Sequence, residues 1–315
     1  MNHVCSRRKF LAASGIALLA TVTGAEEKRR DAASTLQGDA APPGSEPIID
    51  IHQHTNYSFR TDEQLLAHQK AMGVTQTILL PAGSLYGLDA NCTGNEAVWN
   101  FALDHPGEYF YFANEVPNLP GARAELEKYL KSGALGVGEQ KFHVDCDSPS
   151  LELMAEIAQE FKVPILMHFQ HNAYNLHIER MHKTLEKFPK VKFIGHAQTW
   201  WSNIDKNCDQ ATMYPTGKVT PGGITDVLLT EYPNMYGDLS AGSGLNALNR
   251  DPEFMRGFLE RHQDKLLYGS DCNDVIGRAP DCQGARTIAT VRELAPTNAI
   301  ERKLLYENAK KMFRL

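Results

Sequence analysis

Ile48-Ile49-Asp50-Ile51-His52-Gln53-His54 is the stretch on which the fold turns. A short apolar run ends there in two imidazoles one residue apart, and strand alternation sends side chains two apart to the same face. His52 and His54 can therefore reach one ion from the end of a single strand. The pattern recurs downstream. Val163-Pro164-Ile165-Leu166-Met167 ends on His168, and Val191-Lys192-Phe193-Ile194-Gly195 ends on His196. Leu266-Leu267-Tyr268-Gly269-Ser270 ends on Asp271, and Gly136-Val137-Gly138 delivers Glu139.

Outward from these runs, apolar segments alternate with segments of helical periodicity. The strands expected are Ile48–Ile51, Thr75–Leu80, Tyr109–Ala113, Ala134–Gly138, Pro164–His168, Val191–Gly195, Asn234–Leu239 and Lys265–Gly269. Amphipathic stretches lie between them, among them Asp62–Met72, Ala122–Lys131, Ser150–Phe161, Leu176–Phe188 and Pro252–His262. Pro149 and Pro252 stand where first helical turns accept proline, and Gly73 and Gly133 stand where helices stop. Regular alternation of this kind predicts a parallel α/β sheet. Such a sheet is either doubly wound or closed into a barrel. No glycine-rich nucleotide loop follows the first strand, so nucleotide-binding versions lose ground, and a single-domain (β/α)8 barrel over residues 48–315 is the fold carried forward. A polar segment between Trp200 and Thr220 reads as a long loop after the sixth strand.

In such a barrel the carboxyl ends of the strands converge on the active-site face. A single strand-end histidine is ordinarily a hydrogen-bonded core or rim residue. His52, His54, His168, His196 and Asp271, five ligand-type side chains at four strand ends, are much harder to assign to chance. Three or four imidazoles with a carboxylate suit a divalent metal, zinc first, although manganese, iron and nickel accept the same donors.

The motif Asp50-x-His52-x-His54, the later His168 and His196, and Gly269-Ser270-Asp271 resemble the amidohydrolase superfamily, in particular its amidohydrolase-related TIM-barrel branch, which includes decarboxylases. The closing segment Tyr306-Glu307-Asn308-Ala309-Lys310-Lys311-Met312-Phe313 is similar to that branch's last helix. The resemblance implies metal binding by His52, His54, His168 and Asp271. It implies for His196 a second metal or polarisation of the substrate. Gly138-Glu139 also resembles the metal-bridging glutamate of TatD-type deoxyribonucleases. Other branches bridge with a carboxylated strand-four lysine, which would be Lys141, and the sequence leaves the choice between Glu139 and Lys141 open.

The expected chemistry is hydrolysis of an amide, ester or lactone in a small molecule. Asp271 would move the proton of a metal-activated water, and His196 would stabilise charge on oxygen. A decarboxylase with the same ligand set is the nearest alternative, and a non-catalytic exported metal- or sugar-binding protein is the alternative from another class. His143, His171 and His177 could line the pocket, Trp200 and Trp201 could stack on a ring, and Arg278 and Arg286 could hold a carboxylate. Loop exposure or plain packing is the commoner fate of each.

The chain of 315 residues is long enough to bury a core without staples. A net charge of −6 argues against a nucleic-acid partner. A homo-oligomer remains open. Ser6-Arg7-Arg8-Lys9-Phe10-Leu11, the apolar stretch from Ala12 to Val22, and Thr23-Gly24-Ala25 read as a signal peptide over residues 1–25. The apolar part is shorter than the ~20 residues needed to span a bilayer. The arginine pair resembles a twin-arginine signal, with a general secretory signal as the plainer choice, so a periplasmic or extracellular location is expected. Residues 26–47 read as a flexible linker. Beyond the signal, Cys92, Cys146, Cys208, Cys272 and Cys282 show no CxxC spacing. Isolated buried thiols are expected, with Cys272 and Cys282 the nearest pair.

Overall fold

Eight short strands form in the expected places. The computed structural model describes residues 46–83 and 91–315, so the signal peptide and nearly all of the linker lie outside the described residues. The strands are β1 (Ile49–Gln53), β2 (Gln76–Leu79), β3 (Tyr109–Tyr111), β4 (Val137–Gln140), β5 (Ile165–His168), β6 (Phe193–His196), β7 (Met235–Asp238) and β8 (Leu266–Leu267). All ladders are parallel and follow chain order, β1-β2-β3 and β4-β5-β6-β7-β8. Two sets of backbone bonds join these arcs. Ala113 N–H donates to Gly136 O and Gly138 N–H to Ala113 O, both at 2.9 Å, while Ile51 N–H donates to Tyr268 O at 3.1 Å. The ring therefore closes, as the alternation predicts, and leaves no long edge.

The helices are α1 (Asp62–Met72), α2 (Asn95–Asp104), α3 (Ala122–Lys131), α4 (Pro149–Phe161), α5 (Met181–Lys187), α6 (Gln198–Ser202), α7 (Ile224–Glu231), α8 (Ala241–Arg250), α9 (Pro252–Arg261), α10 (Gln283–Leu294), α11 (Asn298–Arg302) and α12 (Asn308–Phe313). Local chemistry sets their ends. Thr61 and Gln64 form a reciprocal capping box on α1, which stops at Gly73 in the left-handed region. Ser148 caps α4 and Pro149 opens it. The helix expected over Leu176–Phe188 begins late: Asn175 and His177 hold φ of 42° and 64°, and Leu176 N–H bonds to Val144 O, so the backbone is committed to a loop.

Side chains alternate between two apolar layers. Ile49, Ile51, Ile78, Phe112, Leu166, Ile194 and Leu267 fill the ring's interior together with Met312 and Phe313 of α12. Ile48, Ile165, Met167 and Phe193 pack outward under the helices. Burying both faces explains why the strands read as nearly continuous apolar runs. No helix among the described residues is long and apolar enough to cross a membrane.

Candidate metal centre

The two imidazoles of β1 converge as their spacing requires. His52 Nδ1 donates to Asp238 Oδ2 at 2.7 Å, and His54 Nδ1 donates to Leu80 O at 2.7 Å. With the Nδ1 proton fixed on each neutral ring, both Nε2 atoms carry lone pairs, and they lie 3.2 Å apart. Two acceptors at that separation call for a cation or a proton between them. His196, fully buried at the end of β6, turns Nδ1 to Ser240 Oγ at 2.9 Å. Its Nε2 is buried without a hydrogen-bond partner. An orphaned buried acceptor is costly unless something pairs with it.

Two carboxylates face these nitrogens. Glu139 places Oε2 3.6 Å from His52 Nε2 and 3.7 Å from His54 Nε2, with Oε1 3.6 Å from His196 Nε2. Asp271 places Oδ1 3.8 and 3.5 Å from the same two nitrogens and Oδ2 3.6 Å from His196 Nε2. Ligands bonded at ~2.0–2.2 Å to a divalent ion stand about 3–3.5 Å from one another. The donor set fits such an ion in chemistry, and its spacings of 3.2–3.8 Å reach at most about 0.3 Å beyond that range.

Sequence left Glu139 and Lys141 undecided, and the geometry puts Glu139 among the imidazoles. Lys141 lines the pocket above, its Nζ 5.5 Å from the Tyr174 ring centre. Gly138 turns the chain there: φ is 134°, and a Cβ would stand 2.6 Å from Leu166 O, so only glycine delivers Glu139 at this angle. His168 meets the centre through that carboxylate. Its Nδ1 is 2.5 Å from Glu139 Oε1, and its Nε2 is 3.3 Å from Gln170 Oε1. The strand-end rule thus brings His52, His54, Glu139, His196 and Asp271 together, with His168 beside Glu139.

Asp271 sits in the left-handed region at φ 42°, a conformation that costs about 1–3 kcal/mol for a residue with a Cβ. Its N–H donates to His52 O at 2.8 Å and its carbonyl accepts from Gln283 Nε2 at 2.6 Å, which fixes it beside β1. Burial opposes ionisation of Asp271, yet His52, His196 and His54 hold its carboxyl well below the usual range. Glu139 is held low in the same way, against burial, by His168 and His52. Burial also opposes charge on His54, but Cys92 and Asp271 raise its pKa to about 10. His52 is raised too, by Asp271, Asp238 and Glu139. Crowded carboxylates therefore demand positive charge at this point, from protons or from a metal. The Tyr57 phenol is pushed up by Asp271 and by burial, so it stays a hydrogen-bond donor.

Asp238 and Ser240 were not among the residues expected at the site. Asp238 is buried at the end of β7, and its Oδ2 accepts from His52 Nδ1 and from Ser240 Oγ, each at 2.7 Å. The signal was present, since Asp238 too is a carboxylate ending an apolar run. Tyr57 and Cys92, which line the pocket with His54 and Lys141, come from loops that carry no such signal. Trp200 and Trp201 are core residues: Trp200 stacks on Phe169, and Trp201 Nε1 donates to Asp238 O at 2.9 Å. His143, His171, His177, Arg278 and Arg286 are exposed.

Comparison with known proteins bears directly on this arrangement. The amidohydrolase family profile matches residues 88–315. The chain belongs to the amidohydrolase family. Solved structures of similar fold include an uncharacterised TIM-barrel protein from Bordetella bronchiseptica, at 16% identity and TM-score 0.61, covering 85% of this chain and 99% of that one. A Pseudomonas putida protein named as a 2-pyrone-4,6-dicarboxylic acid hydrolase shares 14% identity at TM-score 0.59, over 85% of this chain and 97% of its own. The 2,6-dihydroxybenzoate decarboxylase from Rhizobium shares 12% identity at TM-score 0.55, over 85% and 99%. No curated protein sequence matches this chain. At these identities the structures speak for the barrel alone. Amidohydrolase-family members generally depend on a divalent metal, in keeping with the donor groups at the mouth.

Proposed function

We propose that this amidohydrolase-family chain is a metal-dependent hydrolase that directs water onto an amide, ester or lactone bond of a small molecule. The observation that carries the proposal is Asp271. Its carboxylate is held ionised, 3.5–3.8 Å from three imidazole nitrogens, and lines a pocket shared with Tyr57, Lys141 and Tyr174. His52, His54, Glu139, His196 and Asp271 would hold one or two ions, zinc first, and His168 would orient Glu139. Such an ion supplies Lewis acidity and lowers the pKa of water to about 7.

The chain's own residues do the rest. Asp271 accepts the water proton and returns it to the leaving nitrogen or oxygen. Tyr57 offers its hydroxyl proton toward the substrate oxygen on which charge gathers. Asp271→Asn is expected to keep most of the metal and to lose turnover by roughly 10²–10⁴-fold. Near-normal turnover with a panel of esters, lactones and amides would remove the proposed base.

Decarboxylation is the second reading. Lys141 at the pocket wall could hold a substrate carboxylate, and a decarboxylase shares the fold. Carbon dioxide release from an aromatic acid, with no solvent oxygen entering the product, would select it. Export in the folded, metal-loaded state through the twin-arginine route is proposed as well. Recovery of the full-length chain with residues 1–25 intact in the cytoplasm, and none outside it, would overturn that route.

A further inference from the structure

A second group of side chains of metal-ligating type lies outside the barrel-mouth set. His68 comes from α1, Cys272 and Asp274 from the segment after β8, and Cys282 caps α10. The ligand atoms of all four lie within 4.8 Å of one another. His68 and Cys282 are fully buried, Cys272 nearly so, and the Asp274 side chain is 17% exposed. None of them enters the chemistry described above.

We propose that His68, Cys272, Asp274 and Cys282 bind a structural zinc ion that braces the segment following Asp271. The edges of the cluster carry the argument. Tetrahedral zinc with bonds of ~2.3 Å to sulfur and ~2.0–2.2 Å to nitrogen and oxygen sets S–S edges of about 3.8 Å, S–N and S–O edges of about 3.5 Å, and an N–O edge of about 3.3 Å. The structure has Cys272 Sγ–Cys282 Sγ at 3.6 Å, Cys282 Sγ–His68 Nε2 at 3.4 Å, Cys272 Sγ–Asp274 Oδ2 at 3.8 Å and His68 Nε2–Asp274 Oδ2 at 3.1 Å. Four of the six edges, drawn between donors on three separate elements, match those lengths to within about 0.3 Å, and the other two lie within 4.8 Å.

Neighbouring groups aim the donors, as they do around structural metals. His68 Nδ1 stands 3.2 Å from Gln69 Oε1, which fixes the Nδ1 proton and leaves Nε2 for the ion. Asp274 Oδ1 accepts from Ile276 N–H at 2.7 Å and Oδ2 accepts from Gly277 N–H at 3.1 Å, holding the carboxylate in place. Four protein ligands and little exposure make a closed, non-catalytic site. Binding releases the two thiol protons to solvent as the thiolates form. A Cys272–Cys282 disulfide is the competing occupant, and it would require the sulfurs to close from 3.6 Å to ~2.05 Å.

The experiment needs no substrate. Zinc per chain is measured on protein purified with a phosphine reductant and no chelator, together with zinc X-ray absorption and the near-ultraviolet thiolate-to-metal band of the cobalt-substituted chain. Sulfur scatterers at about 2.3 Å are expected in the wild type. Cys272→Ser and Cys282→Ser should each lose one zinc per chain and the cobalt band, whereas Cys92→Ser, altered in the barrel-mouth pocket, should keep the band. Asp271→Asn should keep it as well, so failure here and failure of the hydrolase reading are separable. Absence of sulfur around zinc in the wild type overturns the proposal, and that readout does not depend on any variant folding. A Cys272–Cys282 disulfide in protein isolated from cells without reductant overturns it too, as does a band abolished by Cys92→Ser alone.

Discussion

Asp238→Asn tests the centre through its support. Asp238 Oδ2 accepts from His52 Nδ1 and Ser240 Oγ, each at 2.7 Å, and Oδ1 accepts from Ser240 N–H at 3.0 Å. Every one of these contacts needs an acceptor. An asparagine must turn its NH2 toward one side or the other, so one donor meets another donor whichever way the amide lies. Leaving one buried donor unpaired costs about 1–3 kcal/mol. Flipping the His52 proton to Nε2 would relieve the clash, and it would also remove the lone pair that faces the centre. Loss of such a supporting partner weakens metal binding by about 10–100-fold, or about 1.4–2.7 kcal/mol. The assay is zinc titration of metal-free protein against a chromophoric chelator, in the Cys272→Ser background so that the barrel-mouth ions alone are counted, with melting followed in parallel. An unchanged zinc affinity beside an unchanged Tm would refute the assignment of His52 Nε2 to the metal.

Other expectations concern the frame around the site. Gly138→Ala should cost at least about 1–3 kcal/mol from backbone strain alone, because φ is 134° and the new Cβ meets Leu166 O; denaturant midpoints measure this, and zinc affinity should fall as Glu139 is displaced. Trp200→Ala should cost about 3–5 kcal/mol in stability while leaving KM unchanged, since the indole is fully buried against Phe169. Asp226 is partly buried on α7, which raises its pKa, but His262 at 2.6 Å and Arg261 at 3.0 Å draw it below the ordinary value. A depressed carboxylate stabilises the fold above its unfolded pKa of ~3.9, and that contribution is lost as pH falls through the lower folded value. Asp226→Asn should therefore be about 1–2 kcal/mol less stable than wild type at pH 7 in urea, with the gap closing only below pH ~4.

Legibility in the sequence followed chemical distinctness. All eight strands were readable because a strand buried on both faces must be apolar along its length, and each was placed to within a few residues. The strand-end donors were readable because an imidazole or carboxylate closing such a run is conspicuous. Asp238 is as readable in principle, but the Leu239 that follows it masks the end of the apolar run. Tyr57 and Cys92 were not, because loop residues reach the pocket by backbone turns that leave no periodic trace.

The order of strands, the parallel ring and the convergence of His52, His54, His196 and Asp271 on one face were thus determined by local composition, for hydrophobic alternation is a property of neighbouring residues. Tertiary structure alone decided that Glu139 and not Lys141 enters the imidazole cluster, that His168 serves the glutamate, and that His68 meets Cys272, Asp274 and Cys282. Those choices turn on side chains brought within 4 Å from elements as far as 214 residues apart, or on the angle of one glycine. Sequence spacing carries no information at that scale, because the distance is set by how helices and strands pack and not by how many residues separate them.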